Sequence, residues 1–307
     1  MRYRGFFIFF LIFALILPLT ACSGEHSGPA QSASSSAVSS GSAVVVGPSG
    51  SDSSESAPAA SSGKASSAPV SSGPEQVSVT IPEGFTLSQI GDRLEARGIC
   101  KKADFVKAAQ SYDVSYYPLV KQIPANAHRC HRLEGYLYPE TYSFFVGMKP
   151  QDAIGKFLRV AEEEINGKYS YSGMTTDQVI TLASVIEREA QTPEDMKKVS
   201  SVFHNRLKQK MILQADSTRD YCNNFLIPVF GDSSKYYYNT YPNRSPGLPA
   251  GPICNPGASA LDASVHPADT DFLYFATGTN HKFYYGKTEA ERDDKMKADH
   301  VAVLYAD

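Results

Sequence analysis

The chain has 307 residues, 42% of them hydrophobic, and a formal net charge of −3 at pH 7. That is enough for one or two globular domains, and it offers neither a basic surface for nucleic acid nor an acidic tail. Tryptophan is absent, which argues against recognition of sugars or bases by indole stacking, although 18 tyrosines and 16 phenylalanines can supply aromatic faces.

Arg2 and Arg4 precede an apolar run from Phe6 to Leu17, followed by Pro18-Leu19-Thr20-Ala21-Cys22. A charged start, a short apolar core and small residues are the parts of an export signal, here residues 1–21. Leu19 to Cys22 also resembles a bacterial lipobox. That implies lipidation of Cys22 and a position on the outer face of the cell membrane. The competing reading is an uncleaved membrane anchor, for which the run is short. Residues 22–75 are mostly Ser, Ala, Gly and Pro, too poor in large apolar groups to bury a core. They read as a tether, a coil of about 50 residues with a reach on the order of 40 Å.

The folded part starts at Val77 to Ile81, whose alternating β-branched residues predict a strand. Thr86 and Gln89 form a potential capping box ahead of the stripe Leu87, Ile90 and Leu94, and Gly98 stands where a glycine would end that helix. A short helix from Ala103 to Gln110 follows. The aromatic segment from Leu133 to Phe145 surrounds Glu134 and Glu140, and two readings stay open for it: a cleft lining, or a turn packed by tyrosines. A helix from Ala153 to Ile165 is expected, with Glu162 to Glu164 as its solvated end.

Val179, Leu182, Ala183, Ile186 and Ala190 recur at helical spacing, and Thr175 with Gln178 supplies a capping box at their start. At about 100° per residue, Arg188 points away from this stripe and Glu187 and Glu189 fall on its two flanks. A carboxyl at such a border can be partly desolvated and so suited to proton transfer near neutral pH. Two solvated edge residues would give the same pattern. Thr192 and Pro193 then cap a second helix whose stripe is Met196, Val199, Phe203 and Leu207, with His204, Asn205 and Arg206 on its other faces. From Leu213 to Gly257 regular periodicity is lost, which predicts a long ordered loop, and such loops tend to be functional. Leu273 to Thr277 and Lys282 to Tyr285 flank Gly278-Thr279-Asn280 as a β-hairpin, and a charged helix from Glu289 to about Val303 closes the chain.

Apart from Cys22 there are four cysteines, Cys100, Cys130, Cys222 and Cys254. An exported chain can pair them, and nearness in sequence favours Cys100 with Cys130 and Cys222 with Cys254; free buried thiols are the alternative. No C-x-x-C or H-E-x-x-H occurs, so no metal or other cofactor is implied. There is no G-x-S-x-G elbow either.

Six ordered blocks resemble those of the endolytic murein transglycosylase (MltG or YceG-like) family: LEGYLYPETY at Leu133, LASVIEREA at Leu182, SVFHNRLKQKMILQADST at Ser201, YNTY at Tyr238, GLPAGPICNPG at Gly247 and HPADTDFLYF at His266. The segment VTIPEGFTLSQIGDRL resembles the LysM-like subdomain of that family. The resemblance implies an α+β fold, with a LysM-like subdomain over 76–130 and a catalytic transglycosylase domain over 131–307. It implies a lytic transglycosylase, with Glu187 as catalytic acid/base and Glu189 as the neighbour that the helical wheel leaves open. The reaction it implies is cleavage of the β-1,4 bond between N-acetylmuramic acid and N-acetylglucosamine, leaving a 1,6-anhydro end. Glu134, Gln214, Asp216, Thr218, Asn239, Thr240, Tyr241 and Asn255 become candidates for holding the sugar. The partners implied are peptidoglycan glycan strands, the cytoplasmic membrane through the lipid anchor, and peptidoglycan synthases, with no nucleic acid. The chain departs from the family pattern in Asp216-Ser217-Thr218 where Asp-Pro-Thr is usual, in the insert Pro242 to Pro246, and in a lipobox and tether where a transmembrane helix is usual.

Overall fold

The computed structural model describes residues 73–125, 128–241 and 246–304. The export signal, Cys22, nearly all of the tether and most of the 242–246 insert lie outside these residues. Among the described residues, no helix is long and apolar enough to cross a membrane.

Strand β1 (Gln76–Thr80) pairs antiparallel with β2 (Thr141–Phe145), with Val77 opposite Phe144 and Val79 opposite Tyr142. The strand β2 lies within the segment left open between cleft and turn, because a five-residue alternation is a weak signal without its partner. Helix α1 (Leu87–Ala96) begins at Thr86 with both halves of the expected capping box and ends before Gly98, whose φ is +70°. Helices α2 (Lys102–Ser111), α3 (Pro118–Lys121) and α4 (Pro150–Ile165) follow. Helix α1 packs on α2, and α2 and α3 pack on α4. The inward rings of Tyr142 and Phe144 gather on Phe157 of α4, at centroid distances of 4.4 and 5.7 Å. Strand pairing and packing therefore run across the boundary expected after residue 130. Glu162, expected in solvent, instead accepts the Leu119 N–H at 2.9 Å, in the first turn of α3, where a backbone donor lacks a helical partner.

The second group of elements is built on α5 (Thr176–Glu189) and α6 (Pro193–Lys208), with α10 (Ala258–Val265) packed on both. Ile180, Leu182, Ala183, Val185 and Ile186 of α5 are fully buried, each large aliphatic worth roughly 1.5–3 kcal/mol relative to exposure. The stretch expected as loop from Leu213 holds helices α7 (Asp216–Tyr221), α8 (Ile227–Phe230) and α9 (Lys235–Tyr238), with a π-helical turn at Cys222–Leu226 between the first two. At four to six residues these helices are too short to express a 3.6-residue period. Strands β3 (Tyr274–Thr277) and β4 (Phe283–Gly286) form the expected hairpin, with Phe275 opposite Tyr285, and α11 (Glu289–Ala298) packs against it. That last helix stops at Ala298, not near Val303: His300 has φ of +54°, and Val303 bridges to Gly278.

One hydrophobic core runs through both groups. Beside it, the buried pair Arg129 and Asp177 meets at 2.6 Å, and Tyr136 donates its hydroxyl to the same aspartate oxygen at 2.7 Å. The expected disulfides are not formed: Cys100, Cys130, Cys222 and Cys254 stand as thiols, the last two buried.

Candidate active site

The capping box at Thr175 and Gln178 fixes where α5 begins, and thereby the rotation at which its last turn emerges. That turn sends Glu187 and Glu189 to different neighbours and leaves Arg188 exposed between them.

Glu187 faces the N-terminal group of elements. Its Oε2 accepts the N–H of Gly257, the cap of α10, at 3.1 Å. Gly84 lies alongside, where an added Cβ would stand 3.7 Å from Glu187 Cγ. The Glu83 side chain covers Gly257, so closely that a Cβ there would fall 1.9 Å from Glu83 Oε1. Burial raises the Glu187 pKa; the Gly257 N–H opposes the rise, Glu83 adds to it and Arg188 reduces it.

Glu189 faces a cleft of about 720 Å³, which Glu187 does not line. Its Oε1 accepts the Ser217 N–H at 3.3 Å. Ser217 Oγ is buried without a partner of good hydrogen-bond geometry, yet it sits beside this carboxyl. Burial pushes the Glu189 pKa up, the Ser217 hydroxyl and N–H pull it down, and Asp216 and Asp220 raise it further. Of the two flanking glutamates, Glu189 lines this cleft, whereas Glu187, on which the resemblance placed the acid/base role, faces Gly257.

Three of the expected sugar-binding residues join Glu189 in this cleft: Gln214, Asp216 and Tyr241. Gln214 is exposed, has φ of +49°, and is anchored by its N–H on the Thr240 carbonyl at 3.2 Å. Asp216 takes the Arg219 guanidinium at 3.1 Å and the Tyr241 hydroxyl. Thr218 and Thr240 are buried behind them. The Thr240 hydroxyl accepts the Ala215 N–H at 3.0 Å and the Thr218 hydroxyl donates to the Ala215 carbonyl at 2.6 Å, so the pair holds the turn that carries Gln214 and Asp216. Asn239 does not line the cleft; its Oδ1 accepts the Tyr241 N–H at 3.1 Å.

Glu134 and Asn255 are also interior and present nothing to a sugar. Glu134 is 1% exposed and accepts from Leu87 N–H at 2.8 Å, Tyr221 hydroxyl at 3.0 Å and Asn255 Nδ2 at 3.1 Å. Burial drives its pKa up to about 7 against those donors. Asn255 further donates to the Phe85 carbonyl at 2.8 Å and accepts the Leu137 N–H at 2.8 Å. Together they join the start of α1, the 133–137 turn and the loop before α10.

Other cleft residues were assigned no role from the sequence. Tyr274 and Phe275, at the end of the His266 block, come from the hairpin, and Glu289 and Arg292, outside every block, come from α11. Arg206 stood on a non-apolar face of its helix and within the Ser201 block. A second cavity, of about 540 Å³, is lined by His128, Asp177, Tyr237 and Leu248, among others, and holds none of the expected site residues. Among the described residues, no group of three His, Cys, Asp or Glu side chains is placed to hold a metal ion.

Residues 58–298 match the family model described as the YceG-like family. A Streptococcus pneumoniae (strain D39) protein named endolytic murein transglycosylase is 31% identical over 255 residues, covering 74% of this chain and 45% of that protein. A Bacillus subtilis (strain 168) protein of the same name is 31% identical over 242 residues, covering 73% of this chain and 65% of its own length. The chain thus spans about half to two thirds of the length of these curated relatives. A crystal structure of a yceG-like protein from Listeria monocytogenes superposes with a TM-score of 0.60 at 33% identity, covering 71% of this chain and 75% of the other.

Proposed function

The chain belongs to the YceG-like family, and from that premise we propose that it is a lytic transglycosylase that cuts peptidoglycan glycan strands internally, with Glu189 as its acid/base. The observation that carries the reading is the convergence of Glu189 with Gln214, Asp216 and Tyr241 on one cleft, in a chain whose relatives bear the name endolytic murein transglycosylase.

The chemistry follows from the environment of Glu189. A carboxyl whose pKa is raised by burial stays protonated at a higher pH than a solvated one and can give its proton to the glycosidic oxygen as the bond to the anomeric carbon breaks. The resulting carboxylate takes the proton of the muramyl C6 hydroxyl as that oxygen attacks the same carbon. The bond is exchanged within the sugar, no water is consumed, and the product carries a 1,6-anhydro end. Ser217 and the turn bearing Gln214 and Asp216 keep the acid in place, and Gln214 and Tyr241 are the groups we assign to the sugar.

One observation favours a second reading, hydrolysis. Asp216, in the same cleft and held by Arg219, is a second carboxylate of the sort that activates water in glycosidases. Mass spectrometry of digested strands separates the two. Anhydro ends support the transglycosylase, and reducing ends one water heavier support the hydrolase.

The remaining proposals concern place. The lipobox and tether would put the domain on the outer face of the cytoplasmic membrane, near nascent strands and the peptidoglycan synthases that extend them. Metabolic lipid labelling of the wild type and of Cys22→Ala tests the anchor, and equal labelling of both would remove it.

A further inference from the structure

The cleft around Glu189 contains a buried cation that makes no ion pair among the described residues. Arg206 is 6% exposed. Its Nε donates to the Leu273 carbonyl at 2.6 Å, and its Nη1 to the Leu213 carbonyl at 2.6 Å and to Gln214 Oε1 at 3.3 Å, with the Ile212 carbonyl at 3.5 Å. The guanidinium also lies 5.3 Å from the Tyr274 ring centroid. Every one of these partners is neutral, and Nη2 has none of them. Arg292 and Glu289 act on it in opposite senses.

Three other buried or cleft arginines differ. Arg129 has Asp177 at 2.6 Å, Arg219 has Asp216 at 3.1 Å, and Arg292 has Asp293 at 2.6 Å. An unpaired charge held away from water is costly, and Arg206 borders an open cleft from which an anion can reach it. Arg188 stands on the same cleft, exposed and in no ion pair among the described residues. With Nε and Nη1 of Arg206 engaged, its Nη2 is left to meet a carboxylate in one charge-assisted hydrogen bond, and Arg188 can add its planar fork.

We propose that Arg206, with Arg188 at the rim, forms a subsite for a carboxylate of the substrate beside Glu189, so that the cleft selects acid-bearing glycans over neutral ones. The proposal rests on the reading of the cleft as a glycan site. The carboxylate has two sources in peptidoglycan. One is the lactyl group of a muramyl residue without a peptide; the other is the stem peptide where one is attached. Chitin oligosaccharides have neither.

The test uses the full chain carrying Glu189→Gln, to suppress turnover, and measures dissociation constants by calorimetry. The probes are chitohexaose, a peptide-free muramyl hexasaccharide and a peptide-bearing hexasaccharide. At low salt at least one acidic probe is expected to bind about tenfold more tightly than chitohexaose, the scale of one charge-assisted contact, with the gap shrinking as salt rises. Whichever acidic probe gains identifies the source of the carboxylate. Arg206→Met is expected to abolish the preference. Because that change also removes the bonds to Leu213 and Leu273, Arg188→Gln, at an exposed position, provides a second variant, expected to reduce the preference and its salt dependence with the melting temperature unchanged. Equal affinity for all three probes before either arginine is changed overturns the subsite. Turnover of the wild type on the same strands is scored separately, so a lost preference with intact turnover strikes the subsite and leaves the proposed activity standing.

Discussion

Glu189 accepts the backbone N–H of Ser217 at 3.3 Å, a contact that ties the end of α5 to the first turn of α7 and holds the carboxyl on the cleft. Two residues earlier in the chain, Glu187 is turned to Gly257. The two glutamates therefore separate cleanly under mutation. Glu189→Gln keeps the shape but cannot donate and retake a proton, and it is expected to lower glycan cleavage by about 10²–10⁴-fold, the usual worth of general acid–base catalysis. Glu187→Gln keeps an acceptor for Gly257 and is expected to stay within about tenfold of wild type. Product release from purified strands, followed by chromatography, measures both, and the reverse ranking would return the chemistry to Glu187.

A pH effect on stability is expected from Glu134. Its folded-state pKa is raised to about 7, so between about 4.5 and 7 the native state binds more protons than the unfolded one. Stability conferred by this group is complete at low pH and falls as pH rises through that window, by about 3 kcal/mol in all, since each pH unit crossed costs about 1.4 kcal/mol. Glu134→Gln cannot ionise. Urea unfolding from pH 4.5 to 7.5 should show the wild type losing stability relative to the variant; parallel curves would mean that the three donors on Glu134 outweigh its burial.

Much of α5 was legible in the sequence, since a capping box and a 3.6-residue stripe are local properties. They even placed the two glutamates on opposite flanks. What each glutamate meets was not legible. The partners lie 28 residues on for Glu189 and 70 for Glu187, in segments without a period of their own. Helix α7 is six residues long and shows its role only when Thr218 and Thr240 are seen interlocked beneath it. The same holds for Glu134 and Asn255. A polar residue in a family block can line a site or build the wall behind it, and only burial tells the two apart. The β2 strand escaped for the corresponding reason, as its hydrogen-bond partner β1 stands at the far end of the module.

The ion pair of Arg129 with Asp177 is nearly inaccessible to water. Removing one member leaves the other charge buried, so Arg129→Met or Asp177→Asn is expected to destabilise the fold by about 3–5 kcal/mol. Arg129 additionally donates to the Glu134 carbonyl at 3.2 Å, which makes its loss the greater of the two. Denaturant titration measures both. A change below about 1 kcal/mol would show that water reaches the pair.

The thiols provide a chemical check on the fold. Cys222 and Cys254 are buried, and burial holds the Cys254 pKa well above that of an ordinary thiol, which leaves little reactive thiolate. Intact-mass analysis of the folded domain after alkylation should find Cys222 and Cys254 unmodified, with all four domain cysteines modified once the chain is unfolded without reductant. Two cysteines resistant to alkylation after unfolding would establish a disulfide.

Gly135 separates Glu134 from Tyr136, whose side chains reach the start of α1 and Asp177 respectively. Its φ is +88°, and an added Cβ would stand 2.4 Å from Pro252 Cγ and 3.1 Å from Ile180 Cγ2. The first feature alone costs a non-glycine residue roughly 1–2 kcal/mol; the second forces apart a proline ring and a buried helix, about 1–3 kcal/mol more. Gly147 isolates the first feature, since its φ is +74° and an added Cβ there meets nothing within 4 Å. Gly147→Ala should therefore show the conformational cost only, and Gly135→Ala should exceed it by the cost of overpacking. Because the displaced Pro252 leads into Asn255 and Gly257, which serve Glu134 and Glu187 and not the Glu189 cleft, both variants should keep their glycan cleavage at temperatures where they remain folded. Equal destabilisation of the two variants would mean that the loop before α10 yields freely, and that its contacts with Glu134 and Glu187 do not hold it in place.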